Sequence, residues 1–206
     1  MHGDNEILVI GTETGIMICK DLCKNHKFHS SASPITAICV NHEYLAIAER
    51  SGEVSLWNLI NQTRLATTKQ KESLGFSSLI FYNNTFLIGS GFNGKIYIYT
   101  YKTNLIIVPA VGLRKSKESR RMSIKLFKII QAHSSDIFTM IKINRHFLAT
   151  GSTDHSIKIW DITNFKCVKT LKGHSMDILC LACDDDFLWS GSMDKSISSK
   201  FIFYDD

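Results

Sequence analysis

The sequence predicts an all-β chain built from a repeated unit, and three observations carry that prediction. Strand-sized apolar runs separated by Gly, Asn and Asp turns account for nearly all of the 206 residues, and no segment shows a helical apolar period. The stretch from His133 to His174 holds one complete unit of four short strands, HSSDIFTMIKI, HFLATGSTD, SIKIWD and CVKTLKGH. The unit then recurs: His174 follows His133 by 41 residues and Gly191 follows Gly151 by 40, a spacing typical of propellers and other repeat arrays.

Taken in order, ILVIG and IMIC flank a tight turn at Thr12–Gly15 and read as two strands of a first unit that lacks its innermost strand. A second unit begins near Pro34 with ITAICV, continues as YLAIAE, turns at Arg50–Gly52 and closes with EVSLWNL, in which Trp57 matches Trp160. A third unit runs SSLIFY, FLIGSG and KIYIYTY, with Asn93 at the position of Asp154 and Tyr99 at that of Trp160. SIKLFKIIQ supplies its outer strand, after a basic segment at 103–122 that reads as a surface loop inserted in a single domain spanning 1–206. The fourth unit is complete. The fifth follows it through FLWSGSMD and then departs, since SSKFIFYDD stands where a Trp-Asp pair and an outer strand are expected.

The Gly173-His174 and Trp160-Asp161 pairs, with partial matches at Ala132-His133 and Trp57-Asn58, resemble the WD-repeat family. The resemblance implies a partial WD-repeat β-propeller of about four to five blades, the first and last incomplete. It also implies a buried polar network in each blade. Here the network would join His133, Asp154 and Trp160 through the hydroxyl of Thr150 or Ser152, which project from one strand face. His174, Ser190 and Asp194 repeat it, and Trp57 keeps one member. His, Ser and Asp also make hydrolase triads, but a nucleophile has no reason to be duplicated from unit to unit, so no catalytic residue is assigned.

Composition narrows the remaining function classes. With 44% hydrophobic and 21% charged residues, the chain is an ordinary globular one. It has no apolar run long enough to span a bilayer and no signal-peptide pattern at its start, so an intracellular place, cytoplasmic or nuclear, is expected. The six cysteines then read as reduced thiols. The net charge of +5 is local: seven basic residues from Arg114 to Lys128 against Glu118 give that segment +6. Its candidate basic patch is Arg114, Lys115, Lys117, Arg120 and Arg121. Arg120 and Arg121 ahead of Ser123 and Ile124 have the pattern of a basophilic kinase acceptor, the alternative being a solvated loop.

Two further motifs carry less than they promise. Gly89 to Lys95 has phosphate-loop spacing, but Ile96 replaces the required Ser or Thr and the flanks are strands, so no nucleotide or other cofactor is assigned. Cys19, Cys23, His26 and His29 are too closely spaced for a zinc finger, and no metal is assigned.

The leading expectation is a non-enzymatic scaffold for protein partners. The residues before each network aspartate, Arg50, Phe92, Thr153 and Met193, are expected to share one face. A ribonucleoprotein component using 114–128 on RNA phosphates, and the substrate-recognition subunit of a ubiquitin ligase, are the alternatives, the latter without an F-box-like helix. An incomplete array exposes strand edges and blade faces, so another chain or a missing segment is expected to close the ring.

Overall fold

The computed structural model describes residues 7–12, 15–20, 24–30, 33–70, 75–108 and 117–201, with side chains described over 33–70, 75–102 and 122–201. These residues form five antiparallel sheets and no helix. The first sheet holds β1 (Ile7–Thr12), β2 (Gly15–Lys20) and β3 (Lys24–Ser30). The second holds β4 (Ile35–Val40), β5 (Tyr44–Glu49), β6 (Glu53–Asn58) and β7 (Arg64–Lys69). The third holds β8 (Phe76–Phe81), β9 (Phe86–Gly91), β10 (Lys95–Val108) and β11 (Lys117–Gln131). The fourth is β12 (Ile137–Lys142), β13 (Phe147–Ser152), β14 (Ile157–Asp161) and β15 (Lys166–Leu171), and the fifth β16 (Ile178–Cys183), β17 (Phe187–Ser192) and β18 (Ile197–Phe201).

Each strand pairs with its neighbour in sequence, so every sheet is a meander. The first strands of successive sheets, β4, β8, β12 and β16, lie against one another, which makes each sheet a blade and the array a β-propeller. Among the described residues the three middle blades have four strands and the end sheets three, as expected from the sequence.

Blade-to-blade packing follows from period-2 alternation: each strand turns one row of side chains toward the preceding blade and one toward the next. Ala48, Val54 and Leu56 of the second blade meet Phe76, Leu79 and Leu87 of the third in one buried cluster. Ala149, Ile157 and Ile159 of the fourth meet Ile178 and Leu188 of the fifth in another. The far face of the fifth sheet breaks this pattern. Ile197, at the repeat position of Ile157, is 78% exposed where Ile157 is 6% exposed.

The basic segment differs from the loop expected of it. Its backbone is strand over 103–108 and again over 117–122, paired in register from Thr103 opposite Met122 to Val108 opposite Lys117. The reason is local. NLIIV is a β-branched and apolar run, and KESRRMSIK contains neither Gly nor Pro to break a strand, so the hairpin continues past the blade.

Candidate functional site

The fourth blade shows how the conspicuous polar residues are used. Trp160 stands opposite Leu148 on the neighbouring strand, which brings its indole beside Thr150, two residues on. Its Nε1 donates to Thr150 Oγ1 at 2.9 Å, and His133 Nε2 lies 2.7 Å from the same oxygen. His133 Nδ1 is 2.9 Å from Asp154 Oδ2. A neutral imidazole closes this circuit: Nδ1–H donates to Asp154, Nε2 accepts the Thr150 hydroxyl proton, and Thr150 accepts from Trp160. Thr150 is therefore the bridging hydroxyl. Ser152 serves the turn instead, bonding to the Ser135 carbonyl at 3.3 Å and accepting from Asp154 N at 3.1 Å.

The circuit has one further member that the strand pattern did not reveal. Ser156 Oγ donates to Asp154 Oδ1 at 2.5 Å and sits 3.3 Å from His133 Nδ1. Its signal in the sequence is the serine two residues after each network aspartate, since Ser196 holds Asp194 at the same 2.5 Å. In the fifth sheet His174 repeats the contacts, 2.9 Å to Asp194 and 2.8 Å to Ser190, but Lys200 replaces the tryptophan.

Electrostatics agree with this hydrogen bonding. Burial holds His133 below its ordinary pKa against the pull of Asp154. Burial pushes the Asp154 carboxyl upward, but the hydrogen bonds from Ser156 and His133 outweigh it and hold the group at about 2. The Ser196 hydroxyl depresses Asp194 in the same direction. Thr150 and Ser152 are fully buried, so neither is open to attack a substrate, and the arrangement locks turns together.

The second and third blades solve the same positions with other chemistry. Ile47 occupies the place of Thr150 in the second blade, and Trp57 turns its Nε1 to Ser55 Oγ at 2.9 Å on its own strand. In the third blade that place belongs to Gly89, and the ring of Phe76 fills it, 2.8 Å from where a Cβ on Gly89 would stand. Phe76 then meets Tyr97 and Tyr99 edge to face, with centroids 5.2 and 6.3 Å apart. Asn93 bonds the Tyr97 hydroxyl at 2.8 Å in place of an aspartate–histidine pair.

Arg50, Phe92, Thr153 and Met193 occupy one equivalent position in four consecutive blades. Their amides donate to the carbonyls of Pro34, Gly75, Asp136 and Asp177, each at the start of its blade, over 2.8, 3.5, 3.0 and 2.9 Å. The turns from second to third strand in every blade lie at the same end, so these four residues share one face. Arg50 and Met193 are exposed, and Phe92 and Thr153 half-buried. Phe138, which the sequence did not single out, joins them: its ring meets Phe92 edge to face at 6.2 Å and is 38% exposed.

Of the basic patch, Arg114 and Lys115 lie outside the described residues. Lys117, Arg120 and Arg121 stand in β11, opposite Val108, Leu105 and Asn104. Ser123 is also within β11, paired with Lys102 and half-buried. Cys19, His26 and His29 fall on strands of the first sheet and Cys23 outside the described residues. Among the described residues no group of three or more His, Cys, Asp or Glu is placed to hold a metal ion, and no helix is long and apolar enough to cross a membrane.

A model of the WD domain, G-beta repeat, matches residues 124–161 and 165–198, the two units that carry the histidine networks. These two segments are WD repeats by that match. The chain is 43% identical over 74 residues to Mitochondrial division protein 1 of Schizosaccharomyces pombe, covering 35% of itself and 11% of that protein. It is 35% identical over 101 residues to Pre-mRNA-splicing factor PRP46 of Candida albicans, covering 47% of itself and 25% of that protein. Nuclear distribution protein PAC1 of Candida glabrata matches along 96% of the chain at 24% identity, with 34% of that protein covered. The chain thus spans between a tenth and about a third of the length of these relatives. Among solved structures, the WD40 β-propeller domain of Doa1 superimposes with a TM-score of 0.72 at 17% identity, over 97% of this chain and 62% of that one. A chain of the Mitotic Checkpoint Complex gives a TM-score of 0.75, also at 17% identity, over 95% of this chain and 58% of its own. Likeness at that identity shows the fold alone.

Proposed function

We propose that the chain is a non-enzymatic scaffold for protein partners, and that the face bearing Arg50, Phe92, Thr153 and Met193 is a binding surface. The observation that carries this reading is the repeated amide-to-carbonyl bond that fixes these four positions at one end of four blades. Turns pinned in this way lose little entropy on binding, and Arg, Phe and Met are types enriched where interfaces concentrate their energy. The Phe92–Phe138 pair supplies an apolar centre, and Arg50 a cation toward one side. The polar networks support the same reading, because they consume the hydrogen-bonding capacity of His133 and Asp154 in holding turns rather than leaving it for chemistry. On this reading further polypeptide, from another chain or another segment, covers the open face of the fifth sheet around Trp189 and Ile197.

The test is affinity purification and mass spectrometry of the tagged chain beside an Arg50→Glu, Phe92→Ala, Met193→Ala triple variant of equal thermal stability. The expected result is loss of a defined set of partners in the variant. Identical partner sets would overturn the assignment of the face.

A further inference from the structure

The face that carries Arg50, Phe92, Thr153 and Met193 is not uniform around the disc. The first strand of each of these four blades holds one extra residue at a register shift: Thr36 in β4, Ser77 in β8, Phe138 in β12 and Leu179 in β16. A bulge of this kind leaves the extra residue unpaired and re-aims its side chain. In the second and third blades that residue is polar and its hydroxyl returns to the sheet, Thr36 Oγ1 donating to the Ala48 carbonyl at 3.4 Å and Ser77 Oγ to the Ser90 carbonyl at 3.1 Å. In the fourth and fifth it is large, apolar and open to solvent, and Leu179 is 47% exposed beside the Phe138 already described.

The residue two places earlier changes in step. Pro34 and Gly75 in the second and third blades give way to Asp136 and Asp177, all four supplying the carbonyl that receives the turn amide. Among the described residues the Asp136 carboxylate has no hydrogen-bond or ion-pair partner, and Asp177 reaches only His155, at 3.8 Å. The fifth blade goes further. In the fourth, Thr153 Oγ1 donates to Ser135 Oγ at 2.5 Å, whereas the same two positions in the fifth are Met193 and Met176, both exposed. Two apolar clusters therefore stand on first strands that lie side by side: Phe92 with Phe138, and Leu179, Met176 and Met193 around the start of β16. Methionine adapts to apolar groups of different shape, which suits it to such a surface.

The fixed charge at these turns is negative. Asp154 and Asp194 are ionised at neutral pH and His133 is neutral, so the buried circuits add two carboxylates to Asp136 and Asp177. Against these four stand two exposed cations, Lys195 in the turn and Lys172 on the outer connection, because Lys158 is turned into the seam with the third blade and donates to the Ala132 carbonyl at 2.6 Å. The second and third blades have Pro34 and Gly75, Ser51 and Asn93 at the four carboxylate positions. We propose that the half of this face formed by the fourth and fifth blades docks a basic linear peptide of a partner protein, its apolar residues seating on Phe138 and Leu179 and its Lys or Arg side chains meeting Asp136 and Asp177. The proposal rests on the scaffold reading and names the chemistry of its partner. RNA is disfavoured, because its phosphates would meet the same carboxylates.

The test titrates the full chain with a fluorescein-labelled octapeptide of Lys and Arg around one Leu and one Phe, read by fluorescence anisotropy. The same peptide with Gln for its basic residues, and the same peptide with Ser for Leu and Phe, serve as comparisons. The expected result is saturable binding of the first peptide, at least tenfold weaker for either comparison, and weakened at least tenfold by Leu179→Ser and by the Asp136→Asn, Asp177→Asn double variant. Ile60→Ser, in an exposed turn at the other end of the disc, should leave it unchanged. Leu179 is exposed and the two carboxylates hold no contact within the fold beyond His155, so folding is retained and checked by melting. No saturable binding, equal binding of the neutral peptide, or insensitivity to either variant would each overturn the proposal. A dimer in sedimentation that Leu179→Ser dissociates, with no peptide bound, would overturn it in favour of a second copy as occupant. Partner loss in the Arg50, Phe92, Met193 triple variant without peptide binding would sink the basic peptide and leave the scaffold reading standing, so the two failures are distinguishable.

Discussion

Ile178 of the fifth sheet closes against the bare Cα of Gly151 in the fourth: a Cβ on that glycine would stand 2.5 Å from Ile178 Cγ2 and 2.8 Å from Thr139 Cγ2. Seating the first apolar residue of one blade against a small residue of the blade before it lets the two sheets approach closely. Gly191 is the same repeat position one blade on, and a Cβ there would meet only the Sγ of Cys180, at 2.7 Å. Gly151→Ala is therefore expected to destabilise by about 1–3 kcal/mol, the usual range for overpacking a filled core. Gly191→Ala should lower stability by much less, because one sulfur can rotate away. Urea denaturation of the two variants checks the contrast, and Ile178→Ala should restore part of the Gly151→Ala loss in a double-mutant cycle.

Thr150 connects two groups that have no other buried partner of comparable geometry, the Trp160 indole and His133 Nε2. Thr150→Val keeps the volume and removes the bridging hydroxyl, leaving both groups unsatisfied. The expected loss is about 1–3 kcal/mol, as for other orphaned buried partners. Ser152→Ala, which removes only a turn contact, should lose less. His133→Ala and Asp154→Ala fall in the larger class, and urea melts equal to the parent would refute the circuit.

The same circuit sets an acid response. Burial depresses His133 below the ordinary imidazole value of 6.5, so below pH 6.5 the unfolded chain takes up a proton that the folded chain resists. Stability contributed by His133 is thus full above pH 6.5 and erodes as pH falls toward the lower folded value. Asp154 acts in a second window, its contribution complete above the ordinary carboxylate value of 3.8 and lost as pH falls through about 2. Thermal melts at successive pH values should show a decline just below pH 6.5 in the parent that is reduced in His133→Gln. An unchanged difference between the two proteins across that window would show that His133 does not titrate as described.

Strand order and blade count were legible because alternation and turn residues are local, and the repeat multiplies a weak signal. The network was legible in type but not in detail. Thr150 and Ser152 face the same way, and only the pairing of Trp160 with Leu148 decides which hydroxyl the indole reaches. Phe138 carries no mark in its own unit because its partner Phe92 lies in the preceding blade, a contact between repeats that no single unit displays. The hairpin was hidden for a different reason: basic composition reads as loop, whereas the strand at 117–122 is fixed by its pairing with the apolar run on β10.

One backbone feature recurs in all four turns that face Arg50, Phe92, Thr153 and Met193. The residue two places after each of these has positive φ: Gly52 at 80°, Gly94 at 70°, His155 at 65° and Lys195 at 67°. A non-glycine residue in this left-handed region carries strain of about 1–2 kcal/mol, which glycine avoids while giving up some chain entropy on folding. Lys195 is exposed, so Lys195→Gly is expected to stabilise the chain by up to about 1 kcal/mol. His155→Gly should gain less, since the His155 ring lies 3.8 Å from Asp177 and that contact is lost. Gly94→Ala acts in the opposite direction, because a Cβ would meet the His133 carbonyl at 2.5 Å and the Ser135 carbonyl at 2.7 Å. Those carbonyls belong to the segment that positions the His133 ring, so its melting temperature should fall and the pH 6.5 decline should lose its sharpness. Differential scanning calorimetry on the three variants tests the order, and a Lys195→Gly midpoint at or below the parent's would show that the turn relieves its strain elsewhere.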